Sequence, residues 1–170
     1  MSKAIRISPI LTNRALSGNT DAQFKIANLY MQSENEDDQI LAEDWALRAA
    51  QNGHVEAMYW LGEGYTVYAK ELIEADPEES QTYFKLAYDW LKQAAEDKHA
   101  AAILELAGFY RRGDVVEKDV AHSVELVKQA AELGEVQAMR DLSCIYEHGL
   151  GVDINEELAD FWMEKAENKQ

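Results

Sequence analysis

The stretch VQAMRDLSCIYEHGLGVDINEELADFWMEKA, residues 136–166, decides the fold. Ala138, Leu142, Ser143 and Tyr146 stand at offsets 0, 4, 5 and 8, the spacing of one helix face. Trp162 and Ala166 are again four apart. Between these two runs lie the breakers Gly149 and Gly151, followed by Asn155, whose side-chain oxygen can accept the orphan amides of a new helix. The stretch therefore predicts a helix A, a short turn and a helix B, folded back as an antiparallel pair.

Working outward, the same pattern recurs three times. Tyr30, Tyr65, Tyr110 and Tyr146 are 35, 45 and 36 residues apart, and the same offsets carry Ala22, Ala57, Ala102 and Ala138 onto one another. Ile26, Leu61, Leu106 and Leu142 follow, each next to a small residue, Ala27, Gly62, Ala107 or Ser143, that lets a second backbone approach. Later columns hold Trp45, Trp90, Leu126 and Trp162, then Ala49, Ala94, Ala130 and Ala166. A fixed period of this length means stacked units that cannot bury their apolar faces alone. The expected fold is all-α: an α-solenoid of antiparallel helix hairpins forming a right-handed superhelix, with A helices lining the concave face. The expected units are 21–54, 55–99 with an insertion near 67–74, 100–135 and 136–170. Residues 1–20 precede them and hold a leading half-unit helix that starts at Ser8-Pro9.

Capping chemistry sets the boundaries. Asp38, Asp119 and Asn155 are the expected N-caps of three B helices. In unit two, Asp76-Pro77-Glu78-Glu79 places a cap, a proline at the first helical position and first-turn acids together, so that B helix should begin early and run long. Gly53 and Gly134 suit the left-handed position that ends a helix, where Lys98 stands in unit two.

These residues resemble the Sel1-like repeat family, a branch of the tetratricopeptide-like superfamily. The run Ala138…Leu142…Tyr146-Glu147-His148-Gly149-Leu150-Gly151-Val152…Asn155…Ala159…Trp162…Lys165-Ala166 follows the family pattern best. The likeness covers about residues 10–170. Unit one departs from it by replacing the glycine loop with Ser33–Asp38, and unit two by its insertion. The resemblance implies protein binding without catalysis, in an adaptor, a regulator of signalling complexes, or an immunity protein that blocks a toxin.

Composition narrows the partners. Sixteen basic against 32 acidic side chains leave a net charge of −16 in 170 residues. Nucleic acid and anionic membranes would repel such a chain, because binding them draws on Lys and Arg. No apolar run approaches the length of a membrane span or a signal peptide, so a cytoplasmic location is expected. The single cysteine, Cys144, rules out an internal disulfide framework. Residues 1–20 carry three bases and no acid, so the acidity belongs to the units.

The expected binding surface is the helix-A stripe opposite the framework columns. It comprises Phe24, Asn28 and Met31, then Tyr59, Glu63 and Thr66, then Leu104, Gly108 and Arg111, and finally Arg140, Cys144 and Glu147. Framework columns hold steady while these positions vary within the one chain, as a recognition surface would. Tyr59, Arg111 and Arg140 are the strongest candidates, being common interface anchors. Phe24 and Leu104 suit equally the filling of space between A helices. Acidic loops at Glu34, Glu36, Asp37, Glu71 and Glu74 form an expected rim that would steer a basic protein partner, a toxin, effector or signalling protein. Phe161 occupies a column that elsewhere holds Asp44, Asp89 and Glu125, which suggests a terminal interface to a second subunit or to the partner; the chain is a monomer or a homodimer on this reading.

Catalytic and cofactor motifs are weak. The glycine pairs Gly62/Gly64 and Gly149/Gly151 lack a third glycine and a preceding strand, so no nucleotide loop is indicated and no cofactor is expected. Cys144 and His148, four apart, have metal-like spacing but make an incomplete set; a metal- or thiol-dependent protein or enzyme built on them is the alternative. His54 and His99 read as turn residues.

Overall fold

The computed structural model describes residues 5–169, so residues 1–4 of the leading segment and Gln170 of the last unit lie outside the described residues. Among those described there are nine α-helices and no strand: α1 (Pro9–Leu16), α2 (Thr20–Met31), α3 (Glu36–Gln51), α4 (Val55–Leu72), α5 (Pro77–Glu96), α6 (Ala100–Arg112), α7 (Val120–Leu133), α8 (Val136–His148) and α9 (Glu156–Glu167). Each helix packs chiefly on its chain neighbours, and the α4/α5 pair is the most extensive. The architecture is an all-α solenoid in which α2, α4, α6 and α8 are the A helices and α3, α5, α7 and α9 the B helices.

The small columns of the repeat form the core. Ala22, Ala57, Ala102 and Ala138 are buried, as are Ile26, Leu61, Leu106 and Leu142 and the B-helix alanines Ala49, Ala94, Ala130 and Ala166. The aromatic columns are less enclosed. Trp45 and Trp90 are half-buried, like the four tyrosines of the A-helix column, Tyr30, Tyr65, Tyr110 and Tyr146. Close approach within a hairpin has a direct measure at Gly62, where a β-carbon would fall 2.5 Å from Leu91 Cγ and 3.2 Å from the carbonyl oxygen of Ala87.

The helix ends follow local chemistry. Ser8 caps α1 ahead of Pro9, and Asp76 caps α5 ahead of Pro77, its Oδ1 accepting from Glu79 N at 2.9 Å. Asp119 and Asn155 cap α7 and α9 in the same way. Gly53 and Gly134 take φ of 91° and 99°, and Lys98 takes 61°, a left-handed conformation that an L side chain adopts at a cost. The A helices share a capping column as well. Asn19, His54, His99 and Glu135 each offer a side-chain acceptor to a first-turn amide of α2, α4, α6 and α8.

Two expectations require correction. Asn35, not Asp38, caps α3, its Oδ1 accepting from Asp37 N at 3.2 Å. Asp38 instead accepts the Ser33 hydroxyl at 2.6 Å from within the first turn. The helix starts early because Glu36, Asp37 and Asp38 all favour the positive end of its dipole. The unit-two insertion forms no separate loop. Residues 67–72 extend α4, which outruns α2 by six residues, about 9 Å at the usual 1.5 Å rise. The sequence Val67-Tyr68-Ala69-Lys70-Glu71-Leu72 contains no breaker, so nothing stops the helix before the residues that lead into Asp76.

Candidate functional site

The column of Phe24, Tyr59 and Leu104 lies where one A helix meets the next. Phe24 rests on the ring of His54 with centroids 4.7 Å apart, and Tyr59 stacks on His99 at 4.5 Å and 23° between planes. Each histidine does three things at once. Nδ1 accepts the capping amide of the next unit's A helix, the ring face receives the aromatic of the histidine's own unit, and Nε2 faces an acid of that same unit. Since Nδ1 accepts, the proton of the neutral ring is on Nε2, aimed at Asp21 (3.6 Å) from His54 and at Glu56 (3.0 Å) from His99. Phe24 and Tyr59 therefore build the joints between units while keeping part of their surface in solvent. Burial, followed by the charges of Glu63 and Glu105, pushes the Tyr59 phenol up to about 12, so it stays neutral and able to donate.

Two grooves open between units. One lies against α6, α7 and α8 and has a volume of about 470 Å³; Leu104, Gly108, Arg111 and Cys144 of the stripe line it, with Lys70 and Arg112 alongside. Arg111 is exposed, and neither it nor Arg140 has a carboxylate within ion-pairing distance among the described residues. Two guanidiniums are thus available to an acidic or carbonyl-bearing ligand. The second groove, of about 570 Å³, lies between units one and two and takes only Met31 from the stripe. Its other walls are Trp60, Tyr65, Tyr68 and Tyr83, with Glu43 accepting the Tyr65 hydroxyl at 2.7 Å. Burial raises the Tyr65 phenol well above the ordinary tyrosine range and the Tyr83 phenol upward, and the Glu43 carboxylate adds to both.

Not every predicted position reaches a surface. Thr66 is 2% exposed and its hydroxyl donates to the Gly62 carbonyl at 2.8 Å inside α4, so it leaves the stripe. Its side chain turns toward α5 because the extended α4 is covered there by a longer partner helix. Asn28 is half-buried; Glu63, Arg140 and Glu147 are exposed, and none of the four lines either groove. The acidic positions are also redistributed. Glu34 lies in the α2–α3 connection and Glu74 in the α4–α5 turn, but Glu36 and Asp37 belong to the first turn of α3 and Glu71 to the last turn of α4. For Glu36 and Asp37 the helix dipole is sufficient reason for the charge. Phe161 is 52% exposed on α9, beside Trp162, with Lys165 Nζ 5.8 Å from its ring.

Sequence reasoning missed the aromatic groove. Its residues come from four helices and fall in different columns of the repeat, so no single period gathers them. The one available signal was Tyr68, an aromatic in the segment that breaks the repeat. Cys144 and His148 share a face of α8, Sγ to Nδ1 at 3.7 Å, but Nδ1 also lies 3.1 Å from the Cys144 carbonyl. Among the described residues no three histidine, cysteine or acidic side chains gather closely enough to hold a metal ion. No helix among them is long and apolar enough to cross a membrane.

Known proteins share this architecture. Over 131 residues the chain is 31% identical to the chitin synthase regulator SKT5 of Saccharomyces cerevisiae, covering 76% of this chain and 18% of that one. A protective antigen of uropathogenic Escherichia coli displaying an SLR fold superposes with a TM-score of 0.78 at 29% identity, over 96% of this chain and 34% of that one. A Sel1 repeat protein from Oxalobacter formigenes gives 0.75 at 24% identity, over 93% and 60%. The chain spans less than two thirds of the length of each. Sel1 repeats are matched at residues 20–54, 55–99, 100–135 and 136–169, nearly the whole length, and the chain belongs to the Sel1 repeat family.

Proposed function

We propose that this chain is a non-enzymatic, cytoplasmic protein-binding module of bacterial type, acting as an adaptor or as an immunity protein that occludes a basic toxin or effector. Sel1 repeat proteins are protein-interaction modules, and the yeast relative is a regulator of an enzyme by name. The observation that carries the reading is the groove at α6, α7 and α8. There, stripe residues from two units, Leu104, Gly108, Arg111 and Cys144, line one cavity, and the Arg111 guanidinium has no ion-pair partner among the described residues, whereas Arg112 beside it is paired with Asp114. Specificity rests on this groove and on the neighbouring Tyr59 and Arg140. The net charge of −16, with Glu34, Glu36, Asp37, Glu71 and Glu74 on the outside, speeds capture of a basic partner.

Affinity purification from the native cell tests the reading. The expected product is a stoichiometric complex with one basic protein. It should persist with chelator and in Cys144→Ser, and weaken at least about tenfold in the double variant Arg111→Ala/Arg140→Ala. Its association should slow steeply with added salt while dissociation barely changes. A complex lost on removing metal or the Cys144 thiol would replace this reading with the metal- or thiol-dependent one.

A further inference from the structure

The groove between units one and two differs from its counterpart between units three and four. Where the latter presents Val124, Asp141 and Ile145, the former presents Glu43, Trp60 and Gly64, with Tyr65, Tyr68 and Tyr83 added to the wall. Of these, Tyr68 comes from the six-residue overhang of α4 past the end of α2, Tyr83 from α5, and Tyr65 is the framework tyrosine of its unit. The rings hold one another. Tyr68 meets Tyr83 edge to face with centroids 4.6 Å apart, and Tyr65 leans on Tyr83 at 5.7 Å.

One carboxylate completes the wall. Glu43 is fixed by the Tyr65 hydroxyl at 2.7 Å and has no cationic partner among the described residues, and neither Lys nor Arg lines the cavity. The cavity thus combines a concentration of π faces with an uncompensated negative charge. An apolar occupant would strip water from Glu43 without replacing it, which is costly; a cation would satisfy both features at once.

We propose that this groove is a receptor for an arginine side chain presented by a protein partner, its guanidinium lying against the Trp60 and tyrosine rings with its N–H groups directed at Glu43. Arginine suits it better than lysine because a planar guanidinium can stack on a ring and engage a carboxylate through the same group. At about 570 Å³ the cavity exceeds one side chain, which leaves the half-buried Met31 to receive an apolar neighbour of that arginine. The inference rests on the protein-binding function proposed above and names part of what the partner must carry.

The test uses small derivatives, so it can fail without touching the protein-binding reading, and the converse also holds. The isotopically labelled chain is titrated with Nα-acetyl-arginine methylamide and with its neutral isostere, Nα-acetyl-citrulline methylamide, and followed by amide and indole NMR. Saturable shifts are expected at the Trp60 indole and the Gly64 amide, with the citrulline derivative binding roughly fivefold or more weakly. Glu43→Gln should bring arginine down to the citrulline level. Tyr68→Leu, which keeps apolar bulk but removes a ring face, should weaken arginine severalfold. Equal binding of the two derivatives to the unsubstituted chain overturns the proposal without recourse to any variant. So does the absence of saturable shifts, or shifts confined to exposed acids such as Glu36 and Asp37.

Discussion

Tyr59 lies flat on the imidazole of His99, 4.5 Å between centroids, and that imidazole also caps the next A helix through Nδ1 at 3.2 Å from Ala102 N. One side chain thus ties a surface aromatic of unit two to the helix start of unit three. The Phe24–His54 contact repeats the device one unit earlier. In unit three Leu104 replaces the aromatic and Glu135 the histidine, so the third joint is made without a ring stack.

Replacing His99 separates its roles. His99→Ala removes cap, stack and the contact with Glu56, and should cost about 1–2 kcal/mol, seen as a fall of several degrees in thermal midpoint. His99→Asn keeps an oxygen for Ala102 N and should lose distinctly less. Identical losses for the two would mean that the stack, not the cap, sustains the joint.

Gly62→Ala should destabilise the chain by about 1–3 kcal/mol, read from the midpoint of denaturant unfolding. The added methyl meets Leu91 Cγ at 2.5 Å and the Ala87 carbonyl at 3.2 Å, and Leu91 is fully buried with no room to withdraw. The other three units carry Ala27, Ala107 and Ser143 at this position, so the same substitution is already present there without harm. A neutral Gly62→Ala would show that the long α4/α5 pair can separate as readily as its neighbours.

Alkaline pH should weaken the fold. Burial pushes the phenols of Tyr59 and Tyr88 from about 10 up to about 12. A raised value in the folded state means that the protonated ring contributes stability that is fully present below pH 10 and is lost as pH climbs toward 12. Absorbance at the phenolate band should show a late-titrating group of tyrosines that becomes ordinary in denaturant. If all tyrosines ionise together near pH 10 in the folded chain, the joints are more open than described.

Phe161→Glu addresses the end of the stack. Leu158 and Phe161, three apart on one face of α9, are both exposed, an apolar surface where the other units place an acid in the Phe161 column. Light scattering should find the unsubstituted chain self-associating with concentration and Phe161→Glu monomeric, with stability within about 0.5 kcal/mol of the parent. A monomer in both cases removes self-association through this helix.

By itself the sequence determined the repeat and hence the fold. Alanine, leucine and small-residue columns recur at helical offsets, and in a solenoid each unit meets only its neighbours, so local periodicity already carries the tertiary arrangement. Most helix ends were legible for the same reason, since Ser8-Pro9, Asp76-Pro77, Asp119 and Asn155 act within a few residues of themselves. Tertiary structure alone decided which variable residues face a groove. It withdrew Thr66 into the hairpin, because whether a helix face is open depends on the length of the helix packed against it. It also brought Glu43, Trp60, Tyr65, Tyr68 and Tyr83 together from three helices, a convergence to which the overhang of α4 past α2 adds Tyr68 and which is visible in no single period of the chain.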